Sequence, residues 1–267
     1  MSINENNVIW ITGASSGIGE ALALELSKKP VKLILSARRE SELLRVRDSC
    51  LETGKAQIMV LPLDLADAES LPDKTKEAEY LFGKVDILIN NGGISQRDMI
   101  INTSMEVDRK LMEVNYFGSI ALSKYLLPKM VERKSGHHVI VTSAVGIIST
   151  PKRSAYSASK HALHGFYDAL RAEHHLDNIK VTIVCPGYVK TNISYNALMG
   201  NGKRQNKLDN AQANGLTSEY TAKKIIAAIN QEKQEVYIGG FKEKLGIYMK
   251  RFFPYIYSVA VRKMAVT

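Results

Sequence analysis

The sequence predicts an α/β fold in three layers, a doubly wound, seven-stranded parallel sheet with helices on both faces. Three observations lead there. Short β-branched runs recur at residues 8–12, 31–37, 58–63, 85–90, 138–143, 180–185 and 235–238. The longer stretches between them space their apolar residues by three and four, the period of a helix with one buried stripe. No internal repeat or low-complexity linker divides the chain, so 1–240 reads as a single domain and 241–267 as a C-terminal extension of it. Strands joined by helical crossovers lie parallel and are covered on both faces. Ligands of such sheets sit beyond the C-terminal strand ends where the strand order reverses, so reactive residues are sought just after strands.

The first strand runs into Thr12-Gly13-Ala14-Ser15-Ser16-Gly17-Ile18-Gly19. Glycines here permit positive φ and let backbone approach a pyrophosphate, while the N-terminus of the following helix supplies unpaired N–H groups. A glycine-rich turn that binds nothing is the alternative, and the flanking strand and helix argue against it. The second strand ends Ser36-Ala37-Arg38-Arg39. An NAD-preferring site places a carboxylate near this point, whereas here Ala37 is followed by guanidinium groups able to grip a 2′-phosphate. NADP(H) is therefore expected, with a solvated Arg-Arg-Glu helix start as the bland reading.

After Glu106, the residues Val107, Leu111, Val114, Gly118, Ala121 and Tyr125 form one apolar stripe of a helix; Ser159, Leu163, Phe166 and Leu170 form another. Ser143 ends the strand over 138–143, and Tyr156 and Lys160 follow one turn apart on one helix face. A phenol titrates near pH 10 when unperturbed, too high for neutral pH, but a fixed cation nearby favours the phenolate and brings it into catalytic range. The segment 192–218 is long, polar and rich in Asn and Gly, as expected of a lid over a ligand. Its apolar groups Ile193, Tyr195, Leu198 and Met199 are expected to face the site.

The 267 residues are 45% hydrophobic and 24% charged, which excludes disorder or a fibrous structure for the chain as a whole. No apolar run reaches the roughly 18–20 residues of a membrane span. MSINENNVIW lacks the features of a signal peptide, and Cys50 and Cys185 cannot build a disulfide framework, so a cytoplasmic location is expected. The formal net charge is +9, yet six cations (Lys242, Lys244, Lys250, Arg251, Arg262, Lys263) against Glu243 put most of it in 241–267. A nucleic-acid binder spreads its charge over the folded domain, so no nucleic-acid partner is expected. In the tail, Leu245, Tyr248, Met249 and Phe252 share a helix side and Pro254 interrupts the helix. Aromatics interleaved with cations suit peripheral membrane contact; packing on a partner subunit or over the cleft is the other reading.

His137-His138 and His174-His175 are sequence neighbours whose side chains diverge, and His161 with His164 is a pair without a third ligand, so no metal site is expected. Cys185 reads as a buried filler. Met99, Met105, Met112 and Met130 read as core or interface filling.

In these motifs the chain resembles the short-chain dehydrogenase/reductases of the compact, single-domain kind. Thr12-Gly-x-x-x-Gly-x-Gly19, Asp64, Asn90-Asn-Gly-Gly93, Asn115, Ser143, Tyr156-x-x-x-Lys160 and Pro186-Gly187 through Thr191 occur in the family's order and spacing over nearly all of 7–240. Gly92, where the family more often has alanine, is a departure. The chain is similar also to the 11β-hydroxysteroid dehydrogenase-like and dehydrogenase/reductase member 7-like branch, partly through Ser-Ala-Arg-Arg.

The resemblance implies a Rossmann fold and an oxidoreductase interconverting a ketone or aldehyde and an alcohol; the apolar, cation-flanked tail adds the expectation of a lipid-like or steroid-like substrate. It implies NADP(H) with its pyrophosphate on Gly13, Ser15, Ser16, Gly17, Ile18 and Gly19, its 2′-phosphate against Arg38 and Arg39, and its adenine beside Asp64 and Leu65. Asn91 and Gly92 would meet the adenosine ribose, and Pro186, Gly187, Val189 and Thr191 the nicotinamide end. Ser143 would hold the substrate oxygen and Tyr156 would pass the proton. Lys160 would bind the nicotinamide ribose and depress the tyrosine pKa, and Asn115 would hold a relay water. A homodimer or homotetramer is expected. The alternative is a non-catalytic NADP-binding sensor or scaffold, which normally loses members of the Asn, Ser, Tyr, Lys set; a sugar-nucleotide epimerase would need a larger C-terminal domain.

Overall fold

A computed structural model describes residues 3–5, 7–52 and 54–262. Lys263 and the side chain of Lys242, two of the cations counted in the tail, lie outside the described part. The chain alternates as expected: β1 (Val8–Thr12), α1 (Gly17–Ser27), β2 (Lys32–Ser36), α2 (Glu40–Leu51), β3 (Gln57–Val60), α3 (Leu71–Phe82) and β4 (Ile87–Asn90). Next come α4 (Met105–Met112), α5 (Gly118–Glu132), β5 (Gly136–Val141), α6 (Ser154–Glu173), β6 (Ile179–Pro186), α7 (Asn210–Ala213), α8 (Ser218–Asn230) and β7 (Glu235–Ile238). Two helices, α9 (Phe241–Phe252) and α10 (Pro254–Val261), end the described chain.

The seven described strands form one parallel sheet in the order β3-β2-β1-β4-β5-β6-β7. The order reverses between β1 and β4, which opens the ligand crevice there. Alternation along β1 sends Ile9 and Ile11 to the layer of α1, α2 and α8, and Val8 and Trp10 to the layer of α3, α5 and α6. Trp10 also donates its indole N–H to Ser36 Oγ at 2.8 Å, so the sheet centre leaves that polar atom satisfied. The third strand ends at Val60 rather than at 63, although Leu61 N and Leu63 N still donate to Leu35 O at 2.9 Å and Ala37 O at 3.0 Å; Pro62 falls on the sheet edge, where no N–H is needed.

The helix expected after Glu106 contains a surprise of phase. Between α4 and α5 the residues Glu113–Phe117 form one π-helical turn. Val107, Leu111, Val114 and Gly118 are buried as expected, but past the wider turn the buried face runs through Ser119, Leu122, Leu126 and Met130, and Ala121 is half-buried. Tyr125, expected on the buried stripe, is 45% exposed instead. Met99 and Met105 are exposed too, so of the four methionines Met130 alone is fully buried core.

The C-terminal helices fold back onto the body. Ile247 and Tyr257 are buried against Ala144 and Ile148, Tyr257 donates its hydroxyl to Ser149 O at 2.8 Å, and Lys250 Nζ donates to Ile147 O. The helix breaks before Pro254, where the ring pre-sets φ for a new first turn. Leu245, Tyr248 and Phe252 are largely exposed. Among the described residues no helix is long and apolar enough to cross a membrane.

Candidate active site

A cavity of about 1210 Å³ opens at the C-terminal ends of the strands. Its cofactor end is made of close backbone. Gly13 and Gly17 hold φ of +65° and +60°, a region other residues rarely adopt. A β-carbon at Gly19 would fall against the carbonyl oxygen of Gly13, and one at Gly17 would lie 2.9 Å from Thr191 Cγ2, tying the turn to the segment after β6. The Thr12 hydroxyl accepts from the N–H of Asn91 at 3.1 Å and of Gly92 at 3.0 Å, and Asn91 Nδ2 donates to Thr12 O at 3.0 Å. A β-carbon at Gly92 would lie 2.8 Å from Leu65 Cδ1, so the leucine fills the space an alanine would take and accounts for that departure.

Of the sequence-selected cofactor positions, Gly13, Ser15, Ser16, Gly17, Ile18, Arg38, Arg39, Asp64, Leu65, Asn91, Gly92, Pro186, Gly187, Val189 and Thr191 line this cavity; Gly19 stands behind the turn. Arg38 and Arg39 are exposed at one end of it, and their side chains form no hydrogen bond or ion pair among the described residues. Asp64 Oδ1 accepts from Ala66 N at 3.0 Å, closing a turn that holds the neighbouring Leu65 in place.

Ser143, Tyr156 and Lys160 reach the same cavity. Ser143 begins a single 3-10 turn, accepts from Val145 N at 3.3 Å and donates to Pro186 O at 3.4 Å. Tyr156 and Lys160 lie on α6 and are nearly buried. Lys160 Nζ donates to Val141 O at 2.8 Å. Burial brings the Lys160 pKa down to about 8. Asn115 sits in the π-helical turn, fully buried and off the cavity wall. Its Oδ1 accepts from Ile94 N at 2.8 Å while Nδ2 donates to Ile94 O and Ser159 Oγ, both at 3.0 Å, so it clamps the segment after β4 to α6.

The electrostatics of Tyr156 involve two residues outside the set chosen from the sequence. Burial pushes the Tyr156 phenol up, and the cations that oppose this are Arg97 and then Arg153, with a smaller contribution from the Ser143 hydroxyl. Lys160 is turned to the Val141 carbonyl.

Those arginines were not singled out from the sequence. Arg97, after β4, and Arg153, just before α6, are 3% and 5% exposed and converge on Asp209, itself 1% exposed. Arg97 Nε lies 2.8 Å and Arg153 Nη2 3.4 Å from Asp209 Oδ2. The Arg153 guanidinium also lies over the Tyr188 ring, 5.3 Å from its centroid. One signal was available: a cation at the N-terminal end of a helix opposes the dipole and calls for a local reason. Asp209 belongs to the segment 192–218, which is held by Leu198 N donating to Ser95 O and Arg97 N donating to Leu198 O, each at 2.8 Å. Ile193 and Leu198 line the cavity, whereas Tyr195 is 45% exposed and Met199 is off the wall. Leu245, Met249 and Tyr257 of the C-terminal helices complete the far wall.

His164, read from sequence as paired with His161, instead faces Cys185 Sγ at 3.8 Å and Glu235 Oε1 at 3.8 Å, and its Nε2 lies 3.2 Å from Thr142 Oγ1. Cys185 is buried, and burial pushes its thiol pKa up, which suits the filler reading.

A family model described as short chain dehydrogenase matches residues 7–200. The dehydrogenase/reductase SDR family protein 7-like of Anopheles gambiae is 44% identical over 262 residues, 97% of this chain and 83% of that one. The human dehydrogenase/reductase SDR family member 7 is 45% identical over 251 residues, 92% of this chain and 74% of that one. The chain belongs to the short-chain dehydrogenase/reductases. Within the family it falls in the member 7-like branch, and it is an oxidoreductase by that membership. The solved structure of a short-chain dehydrogenase from Streptomyces avermitilis shares the fold with a TM-score of 0.80 at 28% identity, over 97% of this chain and 95% of that one.

Proposed function

We propose that this short-chain dehydrogenase/reductase interconverts a ketone or aldehyde and an alcohol with NADP(H). The observation that carries the reading is one cavity with the glycine turn and two unpaired arginines at one end and Ser143, Tyr156 and Lys160 at the other. The residues fit a dinucleotide: the turn keeps its backbone open where β-carbons would clash, and Arg38 offers a bidentate partner for a 2′-phosphate. The bound nicotinamide would supply the hydride.

The protein's part is to hold the carbonyl and move a proton. Ser143 Oγ is placed to donate to the substrate oxygen, and the Tyr156 hydroxyl to pass its proton to that same atom during reduction. A developing alkoxide is stabilised there by the nearby guanidinium charge of Arg97 and Arg153. Lys160, at about 8, is able to return a proton to the phenol near neutral pH. Tyr156→Phe is expected to keep NADPH binding and to lose about two to four decades of turnover on a carbonyl panel. Turnover near wild type would remove Tyr156 from the mechanism, and no turnover of any carbonyl by the wild type would favour a sensor or scaffold. Arg38→Ala should cut the preference for NADPH over NADH.

A second proposal concerns the tail. Phe241, Phe252, Phe253, Tyr255 and Ile256 are exposed on α9 and α10 beside Lys244 and Arg251. This composition suits peripheral contact with an anionic lipid surface. Phe252→Ser with Phe253→Ser should release the protein from phosphatidylserine vesicles in a sedimentation assay; unchanged sedimentation would leave the face to a partner subunit.

A further inference from the structure

Among the described residues, one group of His, Cys, Asp and Glu side chains comes close enough together to hold a metal ion. It is His164, Cys185 and Glu235, with one ligand atom of each within 4.8 Å of the others. Three elements bring them there. His164 lies on α6, one turn beyond Lys160 on the same helix face. Cys185 lies near the end of β6, and Glu235 begins the edge strand β7. Cys185 pairs in register with Tyr237, so Glu235, two residues earlier, points to the same face of the sheet.

The spacing suits a shared cation better than it suits hydrogen bonds. Cys185 Sγ stands 3.8 Å from His164 Nε2 and 3.6 Å from Glu235 Oε1. A tetrahedral zinc with ordinary bond lengths holds its sulfur and nitrogen ligands about 3.6 Å apart. His164 Nδ1 is 3.8 Å from Glu235 Oε1, beyond hydrogen-bond reach. His164 Nε2 also lies 3.2 Å from Thr142 Oγ1, a contact that an ion would replace. The Tyr237 hydroxyl hydrogen-bonds the Glu235 carboxylate, the outer support that metal ligands commonly have. Cys185 is buried, whereas the Glu235 side chain is 37% exposed at the sheet edge, which gives a hydrated ion a way in. Burial lowers the His164 pKa and raises that of the thiol, so the imidazole is neutral and the thiol protonated until an ion arrives.

We propose that His164 Nε2, Cys185 Sγ and Glu235 Oε1 form a site for a divalent cation of the zinc type, with water from the exposed side as the fourth ligand. Imidazole, thiolate and carboxylate together select a borderline-soft ion over magnesium or calcium, which take oxygen ligands. Binding forms three bonds to the ion and breaks the Cys185 S–H bond, whose proton goes to solvent; nothing is oxidised or reduced. A dication with one thiolate and one carboxylate is electrically neutral, which suits a place largely closed to water. The ion fastens the edge strand to α6. Since β7 leads through Gly239 and Gly240 into α9, it holds the strand from which the far wall of the cavity springs.

The test uses the whole chain, freed of metal by a chelator. Calorimetric titration with zinc chloride should show about one equivalent bound with a Kd of about 10 μM or lower. Repetition in buffers of different ionisation enthalpy should show about one proton released per ion. Cobalt chloride in place of zinc should give thiolate-to-cobalt charge-transfer absorption in the near ultraviolet, a readout that needs no variant. Cys185→Ala and His164→Gln should each weaken zinc binding at least about thirtyfold, and Glu235→Gln at least about threefold. His175→Gln, at an exposed position just past α6, should leave it unchanged. Zinc should also raise the Tm of the wild type and leave that of Cys185→Ala where it was. Native circular dichroism of the variants separates loss of a ligand from misfolding. A Kd weaker than about 10 μM, no charge-transfer absorption with cobalt, or zinc binding unchanged in a folded Cys185→Ala overturns the site.

Discussion

The two ends of the cavity are built in different ways. At the cofactor end the geometry is set by backbone: the Thr12 hydroxyl holds the backbone N–H groups of Asn91 and Gly92, and the glycines at 13, 17 and 19 leave room by having no side chain. At the substrate end, long side chains reach across the fold: Arg97 to the Asp209 carboxylate, Lys250 to the Ile147 carbonyl and Tyr257 to the Ser149 carbonyl. The first end is a shape that the chain cannot easily lose. The second is an assembly of contacts, each of which can be exchanged while the sheet stays as it is, which is how one fold carries many substrates.

Four changes put that contrast at risk. The largest effect is expected from Asp209→Ala, which leaves two buried guanidinium groups without their carboxylate and should cost about 3–5 kcal/mol in urea denaturation. A cost below about 1 kcal/mol would mean that the substrate end is not held by this ion cluster. Gly19→Ala should weaken NADPH binding at least about a hundredfold, about 2.7 kcal/mol, because its β-carbon presses on the Gly13 carbonyl and Asn91. Binding within about threefold of wild type in a fluorescence titration would break the claim that the cofactor end is set by backbone shape.

The sheet between the two ends gives a third test. His138 on β5 is fully buried, and burial first, then the positive charge of His137, Arg133 and His174, pushes its pKa down to about 3. It is therefore neutral in the fold but takes a proton near pH 6.5 when unfolded. The folded state keeps its full stability above that pH and loses up to about 1.4 kcal/mol per pH unit between about 6.5 and 3. His138→Leu should flatten this part of the pH–stability curve, and a slope identical to wild type would assign acid sensitivity elsewhere. The smallest effect is expected from Tyr257→Phe, which removes one hydrogen bond to Ser149 O and should cost about 1 kcal/mol. Its value lies in the comparison with Asp209→Ala: similar losses from both would make the tail as important to the substrate end as the buried ions.

The same contrast explains what the sequence made legible. The sheet, its order of strands and helices, and the glycine turn follow from local pattern, since period-2 runs, helical stripes and glycine spacing are written in consecutive residues. Ser143, Tyr156 and Lys160 were found because two of them lie one helical turn apart and the third ends a strand. The phase shift at Glu113–Phe117 was not legible, because no residue type announces a π-helical turn, and so Tyr125 was placed on the wrong side. Nor was the ion cluster, since nothing local to Asp209 points to Arg97 across more than a hundred residues. For the same reason Arg97 and Arg153 were not recognised as charges acting on the Tyr156 phenol.

The far wall of the cavity is the chain's own end, fastened to the body by Lys250 and Tyr257 and by the packing of Ile247. Under the proposed reaction a bulky alcohol would have to pass this wall while a small one would not, so the slow step would change identity with the size of the product. Loosening that wall should then speed the turnover of large substrates and leave small ones untouched, a timing effect that no inspection of the closed pocket would reveal.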